Sequence, residues 1–181
     1  MLVIVCPGQG SQTPGFLSPW LEIPAFKESI EIAQSASGLD LQTYGTLSDA
    51  DTIKDTAIAQ PLIVSASLAS YAALSAAGLA NVAGVAGHSV GELAAASIAG
   101  VFDTATAMEF VTKRGSEMAK AAALTKSSMA AVLGGDRDEV VSYLTARGLS
   151  AANYNGSGQI VAAGEAEAIA TLAAEPLTGT R

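Results

Sequence analysis

The pentapeptide Gly87-His88-Ser89-Val90-Gly91 leaves this chain few ways to fold. It follows NVAGVA, an apolar run too short for a helix, and opens an alanine-rich stretch of helical length that Gly100 closes. A chain passing from a buried strand into a helix over so few residues must turn sharply. Glycines on either side of the serine suit such a turn, because side chains there would strike neighbouring backbone. The helix start aims free amides and a positive dipole end at anything bonded to the serine oxygen. The pattern predicts a strand–turn–helix unit that presents Ser89 as a nucleophile, with the Val90 amide as first donor to an oxyanion. A turn of small residues packed under a helix, with no chemistry, is the alternative reading.

The rest of the chain alternates in the same way. LVIVC (2–6) reads as a buried strand feeding the glycine-rich loop PGQGSQTPG. Residues 26–37 are weakly helical, and 38–57 read as polar loop. QPLIVSASLASYAALSAAG is predicted to be a helix with Pro61 in its first turn and Gly78 past its last. Asp103 is placed to cap the helix TATAMEFVTKRGSEMAKAAA. This alternation predicts a layered α/β core with a parallel sheet. After Leu124 the order becomes βαββα: SSMAAVLGG, a helix capped by Asp136, LSAANY and QIVAAG joined by NGSG, then EAEAIATLAAE. That order matches the start of a split βαβ, ferredoxin-like unit whose closing strand would come next. Two domains are therefore expected, 1–124 and 125–181.

Composition excludes some functions. Seventeen acidic against nine basic residues give a net charge of −8, which disfavours nucleic acid, since its binding rests on Lys and Arg neutralising phosphates. No apolar run of transmembrane length is read from the chain, and MLVIVCPGQG lacks the basic start of a signal peptide. No membrane partner is expected. A single cysteine, Cys6, allows neither an internal disulfide nor a cysteine metal cluster. Cys6 reads as an inert core residue, and a reducing cytoplasm is the expected setting.

A serine hydroxyl needs a base, and His88 is the only histidine. Adjacent residues on a tight turn point apart, so His88 is assigned to orienting the turn or lining the pocket. Arg114 shares a helix face with Val111 and Met118, and a guanidinium directed at a core needs a partner. That partner is either Glu92, with snorkelling as a variant of the same structural role, or a substrate carboxylate held by the planar fork. The loop after the first strand has Thr13 where a dinucleotide fingerprint needs glycine, and lacks the Lys-Ser/Thr of a P-loop. It reads instead as backbone able to present an amide, that of Gln9, beside the serine.

PGQGSQ, GHSVGE and KRG, together with AQPLIVSAS and NYNGSGQIVAAG, resemble the malonyl-CoA:acyl carrier protein transacylases of bacterial fatty acid synthesis. The resemblance runs from Val3 to about Gly164. It implies an α/β-hydrolase-like core with an inserted ferredoxin-like subdomain, and no cofactor or metal. Ser89 would take a malonyl group from malonyl-CoA and pass it to the phosphopantetheine thiol of holo acyl carrier protein. Gln9 and Val90 match the amides of the oxyanion hole, and Arg114 matches the arginine that pairs with the malonyl carboxylate. Gln60 and Asn155 match positions near the pocket.

The resemblance also implies a catalytic histidine on a segment following the last strand of the ferredoxin-like subdomain. The 181 residues are therefore read as the amino-terminal part of such an enzyme, ending just short of that strand. A serine hydrolase, or a non-catalytic acyl-binding fragment, are the alternatives.

Overall fold

A computed structural model describes residues 1–156 and 158–181. The chain divides into two compact units, Met1–Lys120 and Ala121–Arg181.

The first unit is built on two parallel strands, β1 (Leu2–Cys6) and β2 (Val82–Gly87), with Cys6 opposite Gly87. Between them run α1 (Pro24–Ser37), α2 (Leu41–Thr46) and α3 (Thr56–Ala76). After β2 come α4 (Gly91–Ile98) and α5 (Thr104–Ala123). In α1 the residues Phe26, Ile30 and Ala33 are buried at helical spacing, and Gly38 closes the helix with φ +69°. The predicted cap of α5 is present, with the Thr106 amide donating to Asp103 at 2.8 Å. Thr106 holds the Asp103 carboxyl below its usual pKa, through its backbone amide first and then its side chain.

Three expectations need correction. Residues 38–57 are not all loop: they contain α2 and a 3₁₀ turn over Thr52–Lys54. Asp40 starts α2 by accepting from the Thr43 amide, and its Leu41 and Gly45 are buried, with Gly45 directly beneath Leu17. Pro61 does not lie in the first turn of its helix, because Asp55 caps α3 earlier by accepting from the Ala57 amide at 2.8 Å. Pro61 therefore sits inside α3. Finally, α3 is long and apolar enough to cross a membrane by length and composition, with a mean hydropathy of 1.5. Here it is a core helix. Every residue from Ala59 to Ser65 is buried, and α1 and α4 pack against it. Over Ala59–Ser65 the helix is enclosed and has no polar face, which is why its composition resembles a membrane span, although its last turn around Leu74 is exposed.

The second unit is a three-stranded antiparallel sheet in the order β3-β5-β4, from β3 (Ser127–Leu133), β4 (Ser150–Tyr154) and β5 (Gln159–Glu165). The helices α6 (Arg137–Thr145) and α7 (Ala166–Ala174) accompany it. Asp136 caps α6 by accepting from the Asp138 and Glu139 amides, as the sequence predicts. Val132, Val140, Leu144, Leu149, Ile160 and Leu172 form its separate core. Arg181 exchanges two backbone hydrogen bonds with Leu133, at 2.8 and 3.0 Å, and Thr180 bridges Gly134 in antiparallel sense. The end of β3 thus pairs with Thr180 and Arg181 after α7.

Candidate active site

The turn after β2 is the strained point of the first unit. The His88 amide extends the strand pairing by donating to the Cys6 carbonyl at 3.0 Å. Ser89 then takes φ +53°, in the left-handed region that a serine rarely adopts. Such a conformation costs on the order of 1–3 kcal/mol and persists only where its surroundings over-determine it. Here the two glycines do that. A Cβ on Gly87 would lie 2.3 Å from the Glu92 nitrogen, and one on Gly91 would lie 2.4 Å from the Cys6 carbonyl oxygen and 2.6 Å from that of Pro7. The turn is pressed against its own helix on one side and the end of β1 on the other.

Gly91→Ala is accordingly expected to lower stability by about 3 kcal/mol or more, the upper part of the range for overpacking. Gly84, also in β2, has nothing within 4 Å of a built Cβ, so Gly84→Ala serves as a near-neutral control. Urea unfolding of the two variants checks this, and equal midpoints would mean that Gly91 is not sterically required.

Ser89 is exposed, while Val90 buries its side chain at 1% exposure and anchors the turn in the core. The amides of Gly91 and Glu92 close short turns onto the carbonyls of His88 and Ser89. Those of Val90 and Gln9 make no hydrogen bond among the described residues, so both remain available to an acceptor. Gly8 brings the two loops together. A Cβ there would meet His88 Nδ1 at 2.6 Å and the His88 carbonyl oxygen at 2.9 Å. The imidazole therefore lies against the Gly8 backbone, in keeping with a role in orienting the turn.

Arg114 reaches Ser89 from α5. Its Nη2 donates to Ser89 Oγ at 3.4 Å and its Nη1 to Gln60 Oε1 at 2.5 Å. The structural alternative, a pair with Glu92, does not form. Among the described residues the ion pairs are Lys27–Glu31, Lys54–Asp51 and Lys120–Glu117, all on the surface. Glu92 is exposed, and a neutral amide takes the place of the carboxylate. The guanidinium is half-buried and has no carboxylate beside it among the described residues. Gln60 itself is 1% exposed, and its Nε2 reaches Met118 Sδ at 3.3 Å and Gln9 Oε1 at 3.5 Å.

The structure brings Gln9, Gln60, His88, Ser89, Val90 and Arg114 together within the first unit. Asn155 belongs to the second, where it spans the turn between β4 and β5 by donating to Gln159 Oε1 at 2.8 Å. Sequence reasoning missed Gln12, Thr56 and Gly115. Gln12 Nε2 donates to the Ile53 carbonyl at 2.9 Å, and Gln9 Nε2 reaches Thr56 Oγ1 at 3.3 Å. Gly115 lets α5 approach the start of α3, since a Cβ there would lie 2.9 Å from the Thr56 carbonyl oxygen. A lone glycine inside a helical run was the available signal for that approach.

Among the described residues no group of acidic, histidine or cysteine side chains could hold a metal ion. Cys6 is buried, and burial pushes its thiol pKa up, away from the reactive thiolate.

The profile of the acyl transferase domain family matches residues 3–177. The chain is 48% identical over 178 residues to the malonyl CoA-acyl carrier protein transacylase of Mycobacterium tuberculosis strain H37Rv. That match covers 97% of this chain and 59% of that protein. The crystal structure of MCAT from Mycobacterium tuberculosis superposes on all of this chain with a TM-score of 0.92 and 48% identity, and 61% of that chain is covered. A type II polyketide acyl-carrier protein in complex with its malonyl-transacylase matches 99% of this chain at 28% identity and a TM-score of 0.87, with 61% of that chain covered. The chain thus spans about three-fifths of the length of the relatives it matches.

Proposed function

The chain belongs to the acyl transferase domain family, and from that premise we propose that it is the amino-terminal part of a malonyl-CoA:acyl carrier protein transacylase. The observation that carries the proposal is Arg114. It is a guanidinium without a carboxylate partner among the described residues, with one arm on a neutral glutamine and the other beside the hydroxyl of a strained serine. An ester hydrolase has no use for a cation there. An acyl group ending in a carboxylate does.

In the proposed reaction Ser89 Oγ attacks the thioester carbonyl of malonyl-CoA, forming a C–O bond as its proton passes to a base. The amides of Gln9 and Val90 donate to the resulting oxyanion. The C–S bond then breaks, and the coenzyme A thiolate takes up the proton. In the second half the phosphopantetheine thiol of holo acyl carrier protein attacks the malonyl ester, and Ser89 is released. Arg114 holds the malonyl carboxylate through both halves, and His88 keeps the turn against Gly8. We place the base in the part of the relatives' length that these residues do not match.

The same reading makes residues 1–124 an α/β-hydrolase-like core and 125–181 a ferredoxin-like subdomain. The β3-β5-β4 order and the Thr180–Arg181 pairing along β3 support the second assignment. Asn155, at the β4–β5 turn, is given a pocket-side place by resemblance alone. The reaction calls for no cofactor, and a reducing cytoplasm suits its buried single thiol.

The test is malonyl transfer from malonyl-CoA to holo acyl carrier protein by residues 1–181, alone and mixed with the complementary carboxy-terminal piece of the full-length protein. Residues 1–181 alone are expected to retain a small fraction of the full-length rate, because a catalytic unit without one member forfeits most of its rate while binding contributions survive. Mixing should restore transfer. Full activity of residues 1–181 alone would show that the base lies within them. Release of malonate to water in preference to transfer would favour a serine hydrolase.

A further inference from the structure

An amide donor accelerates acyl transfer only if it is already in place when negative charge develops. Gln9 sits in a loop poorly suited to that, because Gly10, at φ +108°, and Gly15, at φ +75°, leave its backbone many alternatives. Yet the loop is tied on both sides of the Gln9–Gly10 peptide. Gln12 Oε1 accepts from the Gly10 amide at 2.9 Å, while its Nε2 donates to the Ile53 carbonyl at 2.9 Å. Gln9 Nε2 reaches the Lys54 carbonyl at 3.4 Å and Thr56 Oγ1 at 3.3 Å. The anchoring segment is itself held. Asp49 accepts from the Thr52 amide and Asp55 from the Ala57 amide, each at 2.8 Å, and Ile53 is 2% exposed.

We propose that Ile53–Thr56 and Gln12 form a clamp that fixes the Gln9 amide as an oxyanion donor, making Gln12 and Thr56 positioning residues for acyl transfer. This rests on the reading of Ser89 as the nucleophile. The bonds that tie the Gln9 loop to the clamp are all between neutral groups and do not involve Arg114. The clamp's contribution therefore appears in the rate of forming and collapsing the tetrahedral intermediate, whatever acyl group is carried. Arg114 acts on one acyl group; the clamp acts on all of them.

The experiment compares Thr56→Val, Thr56→Ser and Gln12→Met in the full-length protein, with malonyl and acetyl transfer to carrier protein as readouts. Valine matches threonine in shape without the hydroxyl, serine keeps the hydroxyl, and methionine fills the glutamine's space without its two bonds. Thr56→Val is expected to lower kcat about 10-fold and Gln12→Met about 100-fold, the scale of a displaced catalytic group. KM for malonyl-CoA should stay within about 3-fold, because ground-state binding is untouched. Both acyl groups should lose rate in parallel, and Thr56→Ser should recover to within about 3-fold of the parent.

Unchanged kcat in both Thr56→Val and Gln12→Met would overturn the clamp, as would a loss confined to malonyl. If Gln12→Met does not fold, as judged by its thermal midpoint, the Thr56→Val and Thr56→Ser pair decides. An unmutated protein that transfers no malonyl would overturn the parent reading instead, so the two failures are distinguishable.

Discussion

Ser89→Ala in the full-length protein is expected to leave no malonyl adduct on the protein and to lower transfer by on the order of 10⁵- to 10⁶-fold, the loss seen when an acyl-transfer nucleophile is removed. No other serine among the described residues has positive φ at the mouth of a helix. Intact-mass analysis after incubation with malonyl-CoA reads the adduct directly, and labelling at the parent rate would remove Ser89 from the mechanism. The same position makes a second, opposite demand. Because φ is +53° there, Ser89→Gly relieves a conformation that costs an L-residue energy. That variant should be as inactive as the alanine variant yet about 1 kcal/mol more stable to urea. A serine held where glycine would be more stable is kept for its hydroxyl.

Arg114→Ala is expected to cost malonyl transfer about 2–5 kcal/mol, the range for leaving one member of a buried charge pair without its partner. At 1.36 kcal/mol per decade this is roughly a 30- to 5,000-fold fall in kcat/KM. Acetyl transfer should fall far less, since acetyl carries no carboxylate. Arg114→Lys should recover only part of the loss, because an ammonium cannot grip Gln60 and a carboxylate as a planar fork does. The alanine variant also strands Gln60 Oε1, a buried acceptor, which should lower stability by about 1–3 kcal/mol. Parallel kinetics with both acyl donors separate the two effects. Equal losses would make Arg114 a structural residue.

The parts of this fold that could be read from the chain are those fixed by short-range sterics. Gly87 and Gly91 are needed by atoms within a few residues of the turn and at the end of β1, and the pentapeptide carries that need openly. Asp103 and Asp136 announce their helices for the same reason, since a cap acts on amides two or three residues away. Apart from two local caps, Asp40 and Asp55, what the sequence leaves hidden depends on partners far along the chain. LQTYGT has no helical periodicity, and α2 exists because Asp40 starts it and Leu17 covers Gly45. Proline is a good first-turn residue, so the sequence predicts a helix from Gln60 with Pro61 in its first turn, although Asp55 begins α3 earlier. For Arg114 the sequence shows that a charge aimed at the core needs a partner, and leaves Glu92 and a substrate carboxylate as the alternatives. Within the chain the partner is an amide 54 positions away on α3, which Gly115, next to Arg114 on α5, allows to come close. Side-chain bonds such as that of Gln12 to Ile53 leave no trace in composition or spacing.

Gln60 hydrogen-bonds in three directions, to Gln9, Arg114 and Met118, and this bears on how substrate range could change under selection. In the proposed mechanism the nucleophile, the amide donor and the carboxylate receptor come from three separate stretches of chain, so each could be recoded independently. Gln60 removes that independence for two of them. On that proposal a change at Arg114 alone is expected to alter which acyl donors are accepted and to leave the Gln9 loop with its other ties. A change at Gln60 is expected to alter acceptance and turnover together. Libraries aimed at new acyl donors therefore reach them with least loss of throughput by varying position 114 and holding position 60 constant. Divergence toward other acyl groups should begin on α5 and leave α3 for later.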